Sequence, residues 1–120
     1  MGMAWKRGDP ARGEVWLVDL NPVRGHEQAG IRPALVVSED LFNQGPAGLV
    51  IVVPISSRYK GIPLHVEISP PEGGLERPSY AKCEDIRSIS KARLIRPLGK
   101  AGAQVMRQVE ERLKILLGIP

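Results

Sequence analysis

Arg32 stands immediately before Pro33, at the end of a polar segment running from Asn21 that also holds Arg24, His26, Glu27 and Gln28. An imidazole, a carboxylate, an amide and two guanidiniums are more ionisable and hydrogen-bonding chemistry than a chain reversal needs. Pro22, Gly25, Gly30 and Pro33 interrupt the segment too often for a helix or a laddered strand, so a loop is expected between the apolar runs Val15 to Leu20 and Ala34 to Val37. Loops on rigid flanks often carry function. Asn-Pro can equally start an ordinary turn whose charges are solvated. A second polar segment, Ser56-Ser57-Arg58-Tyr59-Lys60, emerges just after the apolar run Leu49 to Val53 stops at Pro54.

Several chemistries are disfavoured by what is missing. There is no Gly-x-Ser-x-Gly elbow, and Cys83 sits inside a strand pattern, so it is read as a core cysteine and not as a nucleophile. The acids are scattered and His26 and His65 lie in different settings, which does not suggest a metal site; Walker and Rossmann glycine patterns are absent, and no cofactor is expected. RNA, by contrast, carries its own nucleophile in the 2′-OH, so the protein need only move protons and offset charge. An arginine suits the second task, because its planar fork meets two phosphate oxygens and stays protonated. Arg32 is the natural candidate. A pair of histidines acting as base and acid is a lesser route, since His65 lies on the polar face of an alternating strand.

These segments need elements to hold them. Glu14 to Leu20 and Pro33 to Val37 read as strands buried on two sides, and Leu49 to Val53 as a central strand. Ser38 is expected to cap a single helical turn through Phe42. Leu64 to Ile68 alternates, with His65 and Glu67 outward; Ser79 to Glu84 alternates again, and Arg87, within another strand pattern, is expected to be structural. Val105, Met106, Val109, Leu113, Leu116 and Leu117 fall at helical spacing from Ala103 to Leu117, with Gly118 and Pro120 closing the helix. Short strands plus one terminal amphipathic helix imply a mainly β, small antiparallel barrel with the helix packed on one side.

Length and composition agree with one domain. The chain has 120 residues, 42% of them hydrophobic, and is divided into a poorly ordered polar leader, 1–12, and a single domain, 13–120. A lone cysteine excludes an intrachain disulfide, and no apolar stretch reaches membrane-spanning length, so a cytoplasmic protein with no membrane partner is expected. The net charge of +4 favours an acidic or polyanionic partner, while five aromatic residues are too few for a broad base-stacking platform.

Three segments, Gly13 to Pro22, Gly25-His-Glu-Gln-Ala-Gly-Ile-Arg-Pro-Ala-Leu-Val-Val-Ser38 and Val53-Pro-Ile-Ser-Ser57, resemble the MazF/PemK (Kid) toxins of type II toxin–antitoxin modules. The likeness runs from about Arg12 to the end, and is looser after Gly61. It implies an SH3-like barrel, a homodimer, and a metal-independent endoribonuclease that cuts single-stranded RNA to leave 2′,3′-cyclic phosphate and 5′-hydroxyl ends. It also implies a cognate MazE-like antitoxin with an acidic disordered tail. On this likeness the catalytic arginine is Arg32, and the hydroxyl residue is Ser56, where the family more usually has threonine. Glu27 and Gln28 match the family's Glu-Gln pair, to aim Arg32 or read a base edge; His26 is a supporting acid or base. The Arg-Cys-Asp motif of PemK-like members here reads Lys82-Cys83-Glu84. Arg24, Ser57, Arg58, Tyr59 and Lys60 are candidates for phosphate contacts and one stacked base. The competing functions are a CcdB-like gyrase poison without catalysis and a noncatalytic SH3-like binding module.

Overall fold

The computed structural model describes residues 9–22 and 24–120. Along them run strands β1 (Glu14–Asp19), β2 (Ile31–Val36), β3 (Leu49–Ser56), β4 (His65–Ile68), β5 (Ser79–Lys82), β6 (Arg87–Ser90) and β7 (Leu94–Lys100). A short helix α1 (Asp40–Gln44) joins β2 to β3, and a long helix α2 (Ala103–Leu117) ends the chain. All pairings are antiparallel, in the order β4-β5-β3-β2-β1-β7, with β6 on β3 as well. The mainly β architecture with a terminal helix is the one expected from the residue pattern.

β3 organises the sheet. Its first half pairs with β6, its last two residues pair with β5, and its other edge pairs with β2, so one strand passes between two sheet segments. Residues alternate between two apolar clusters along it: Val53 and Ile55 join Val15, Leu35, Val66 and Ile68, whereas Val50 and Val52 join Trp16, Val18, Ala34 and Ile89. Both faces of the central strands are therefore covered, which is why their sequences are apolar without interruption. Each fully buried Val or Leu stabilises the fold by about 1.5–3 kcal/mol.

α2 lays Val105 and Val109 on the first cluster, with Met106 and Leu113 packed beside them. Its last turn ends at Gly118, whose left-handed backbone (φ 70°) brings the Ile119 N–H to the Lys114 carbonyl at 2.8 Å. Leu116 and Leu117, expected on the buried stripe, are instead exposed. The single turn Glu72–Gly74 packs on β7, and the Glu72 carboxylate accepts from the Gly102 N–H at the start of α2 at 2.6 Å. A Cβ on Gly74 would stand 2.0 Å from the Leu98 carbonyl oxygen, and its φ is +70°, so glycine alone permits this approach.

Three expectations are corrected. Residues 1–8 of the expected leader lie outside the described residues, but residues 9–12 are tied down: Pro10 is buried, Arg12 donates to the Val37 carbonyl and pairs with Glu110, and Asp9 pairs with Lys91 at 3.1 Å. Ser38 caps nothing; its buried hydroxyl contacts Asn43 and accepts from the Ile51 N–H at 3.0 Å, docking the α1 connection on β3. The Ser79-to-Glu84 strand stops at Lys82, because Cys83–Asp85 form a tight 3-10 turn. Among the described residues no helix is long and apolar enough to cross a membrane.

Candidate active site

The loop between β1 and β2 is closed at its base by backbone and side-chain bonds. Leu20 N–H donates to the Gly30 carbonyl at 3.0 Å, and Gly30 N–H donates to Asn21 Oδ1 at 3.0 Å. Arg93 donates to the carbonyls of Asp19 (3.1 Å) and Asn21, while Arg87 reaches the Leu20 carbonyl at 3.5 Å, so two cations act as struts under the loop. At the tip, Glu27 Oε1 accepts from the Arg24 N–H at 2.6 Å. Glu27 therefore holds its own turn together, and among the bonds of the described residues it does not orient Arg32.

The far side of the loop is anchored across the molecule. Gln28 N–H donates to Asp85 Oδ2 at 2.7 Å, and its side-chain oxygen accepts from Lys82 Nζ at 3.2 Å. Lys82 and Asp85 lie 3.8 Å apart with side chains only 8% and 14% exposed, so the pair is close to desolvated. Asp85 was not singled out from the sequence. The signal was there only for a turn: three residues after Lys82, it reaches the same side because β5 gives way to a 3-10 turn.

Arg32 enters from β2. The β2–β3 ladder ends at the pair Ala34 and Pro54, so Arg32 and Ser56 each lie two residues beyond that last pair, on the side of the strand that it faces. Arg32 is exposed, and its Nε donates back to the Ala29 carbonyl at 3.1 Å, which orients the fork while using only one of its five donors. Ser56, the last residue of β3, accepts from the Arg58 N–H at 3.1 Å, leaving the hydroxyl hydrogen available to a ligand.

A groove of about 310 Å³ joins these parts: His26, Glu27, Gln28, Ala29, Arg32, Ser56, Ser57, Arg58, Lys60 and Lys82 line it. A guanidinium and a hydroxyl from two strand ends thus share one open space with three further cationic side chains and an imidazole. Among the described residues no group of three or more His, Cys, Asp or Glu is arranged to hold a metal ion.

Three sequence candidates lie outside this groove. Arg24 sits on the exposed loop tip and does not line it. Tyr59 turns away to Tyr80, with ring centroids 5.4 Å apart and planes inclined at 58°. Glu84 follows the strand's end and points elsewhere, pairing with His65 Nε2 at 2.7 Å. His65 itself, expected on an exposed face, has a side chain only 5% exposed and does not share a groove with His26. Two more arginines were missed. Arg77 and Arg96 line a larger cavity of about 450 Å³ that also touches Arg32 and Ser57, so Arg32 borders both spaces.

Cys83 is buried, and burial, reinforced by the charge of Glu84, pushes its thiol up to about 11. It stays a neutral core thiol at physiological pH, with no nucleophilic role.

Residues 11–117 match the family model described as the PemK-like, MazF-like toxin of type II toxin–antitoxin system. The chain is 42% identical over 113 residues to endoribonuclease MazF9 of Mycobacterium tuberculosis, covering 90% of this chain and 96% of that protein. It is 38% identical over 109 residues to endoribonuclease EndoA of Bacillus subtilis, covering 90% and 94%. Its fold resembles the crystal structure of MazF from Deinococcus radiodurans, with a TM-score of 0.81 and 34% identity over 91% of this chain and 96% of that one. The toxin in a MazE–MazF complex from the same organism gives a TM-score of 0.76 at 33% identity, covering 93% and 98%.

Proposed function

Because the chain belongs to the PemK-like, MazF-like toxins of type II toxin–antitoxin systems, we propose that the Arg32–Ser56 groove is where it cleaves single-stranded RNA. The 2′-OH attacks the adjacent phosphorus, and a 2′,3′-cyclic phosphate and a 5′-hydroxyl end result. Charge builds on the phosphoryl oxygens in the five-coordinate transition state, and the Arg32 fork, held by Ala29, offsets it. Ser56, already accepting from Arg58, donates its hydroxyl hydrogen to a phosphoryl oxygen or orients the 2′-OH. His26, in the same groove, is the candidate to transfer a proton, and Arg58 and Lys60 bind the flanking phosphates. Lys82 and Gln28 hold the loop through Asp85, whereas Glu84 takes no part.

The observation that carries this assignment is the meeting of Arg32 and Ser56 in one groove from separate strands. MazF9 and EndoA are both named endoribonucleases, which favours cleavage over gyrase poisoning. Purified protein should cut a fluorescent single-stranded RNA in excess EDTA, and Arg32→Ala should be nearly inactive.

We further propose a cytoplasmic homodimer restrained by an acidic antitoxin segment. Ile115, Leu117 and Ile119 at the end of the chain, together with Ile31 and Ile95, offer apolar surface to a second copy. The MazE–MazF complex of the Deinococcus relative supports an antitoxin partner. An acidic segment lying over Arg24, Arg32, Arg58 and Lys60 should block RNA and bind in a salt-sensitive way. Binding that leaves cleavage unchanged would contradict that placement.

A further inference from the structure

Beside the cleavage groove lies another, of about 300 Å³, with Tyr59, His65, Glu67, Tyr80 and Arg112 on its walls. The cleavage chemistry makes no use of it, yet register ties it to the reacting end of β3. Ser56 pairs with Tyr80, and Tyr80 with Glu67, so these three side chains form one row on a single face of β3, β5 and β4. With neighbouring strands about 4.8 Å apart, Glu67 stands roughly 10 Å from Ser56, within the reach of one nucleotide.

The walls are suited to a base. Tyr59 leans on Tyr80 but remains 72% exposed, so an aromatic face is left open for stacking. Arg112 donates from Nε to the Pro63 carbonyl at 3.3 Å and from Nη1 to Glu111 at 2.7 Å, which fixes the plane of its fork and leaves Nη2 for a ligand. His65, buried and paired with Glu84, serves as a rigid wall. Glu67 is the discriminating group. It is exposed on β4, and a carboxylate beside the path of a polyanion repels its ligand unless it meets hydrogen-bond donors. Adenine and cytosine offer an amino group next to an acceptor nitrogen, and uracil offers one N–H between two carbonyls. Guanine alone offers two adjacent donors, N1–H and the N2 amino group, with O6 beside them as an acceptor.

We propose that this groove holds a guanine base next to the cleaved bond, stacked on Tyr59, with Glu67 accepting from N1–H and N2 and Arg112 donating to O6. The substrate rests on the endoribonuclease assignment, so the test separates the two. RNAs carrying one guanine at each position flanking the cut are compared with the same RNAs carrying inosine, which lacks only the N2 amino group. Wild type and Glu67→Ala are each scored as a ratio of rates, guanine over inosine, which is independent of overall activity. In parallel, binding is measured with strands made uncleavable by a 2′-deoxy sugar at the cut. At one flanking position inosine should weaken wild-type kcat/KM and binding about tenfold, and the penalty should vanish in Glu67→Ala. Indifference of wild type to inosine at every position, or a penalty that survives Glu67→Ala, overturns the assignment. An inosine penalty in binding without any cleavage would instead sink the nuclease assignment and keep the groove.

Discussion

Asp85→Ala should loosen the loop that carries the site, because this one carboxylate holds both a backbone amide of the loop and the neighbouring ammonium. Gln28 N–H loses an acceptor at 2.7 Å, and an orphaned, partly buried donor costs about 1–3 kcal/mol. Lys82 keeps the Gln28 side-chain oxygen at 3.2 Å but loses a carboxylate at 3.8 Å. That attraction is about 4 kcal/mol at an effective dielectric constant of 20, and most of it is offset by the desolvation the pair already bears. The combined loss is about 2–3 kcal/mol, a fall in Tm of about 10 °C for a domain of this size. Asp85→Asn keeps an acceptor for Gln28 and should cost about half as much. Urea unfolding of the three proteins gives the stabilities, and cleavage assays well below the transition give kcat and KM. Loss of the latch should lower kcat/KM in Asp85→Ala more than in Asp85→Asn, since only the first frees the Gln28 backbone. An Asp85→Ala protein within about 0.5 kcal/mol of wild type, or two variants equally impaired, would refute the reasoning.

Other outcomes follow from single groups. Ser56→Ala should lower kcat by about tenfold or more with little change in fold, whereas Ser56→Thr should match or exceed wild type, because the added methyl restricts the rotamer while the hydroxyl remains; equal rates for all three would remove Ser56 from the chemistry. For Cys83 the folded-state value, about 11, lies above the unfolded value of 9.0. The neutral thiol is therefore favoured by folding, its contribution to stability is complete below pH 9, and it is lost as pH rises toward 11. Unfolding scans should show a decline across that window that is absent in Cys83→Ala, and iodoacetamide at pH 8 should label the native chain far more slowly than the denatured one.

Much of this was readable in the residues because apolar pattern dictates burial. Val15 to Leu20, Leu49 to Val53 and the helix from Ala103 to Leu117 appear where their periodicity places them. The site was legible as two polar segments at strand ends, since Arg32 leads directly into one apolar run, Pro33 to Val37, and Ser56 follows directly from another, Leu49 to Ile55. Long-range partners were not. Glu84 reads as a neighbour of Lys82 on an alternating strand, yet the turn at Cys83 sends it to His65 and brings Asp85 to Gln28 instead. Likewise Ser38 matches a helix cap locally, but the Ile51 backbone, thirteen residues on, holds its hydroxyl. Such choices depend on which distant groups the fold delivers, and local spacing contains no record of them.

Cleavage of a single-stranded RNA of mixed sequence by wild type and Arg32→Ala, in excess EDTA and with the ends of the products identified chemically, addresses the central claim most directly. Wild type should leave 2′,3′-cyclic phosphate and 5′-hydroxyl ends without added metal, and Arg32→Ala, still folded, should lose at least a hundredfold in kcat, on the order of one transition-state charge contact. Undiminished cleavage by Arg32→Ala, or products carrying 5′-phosphates, would contradict it.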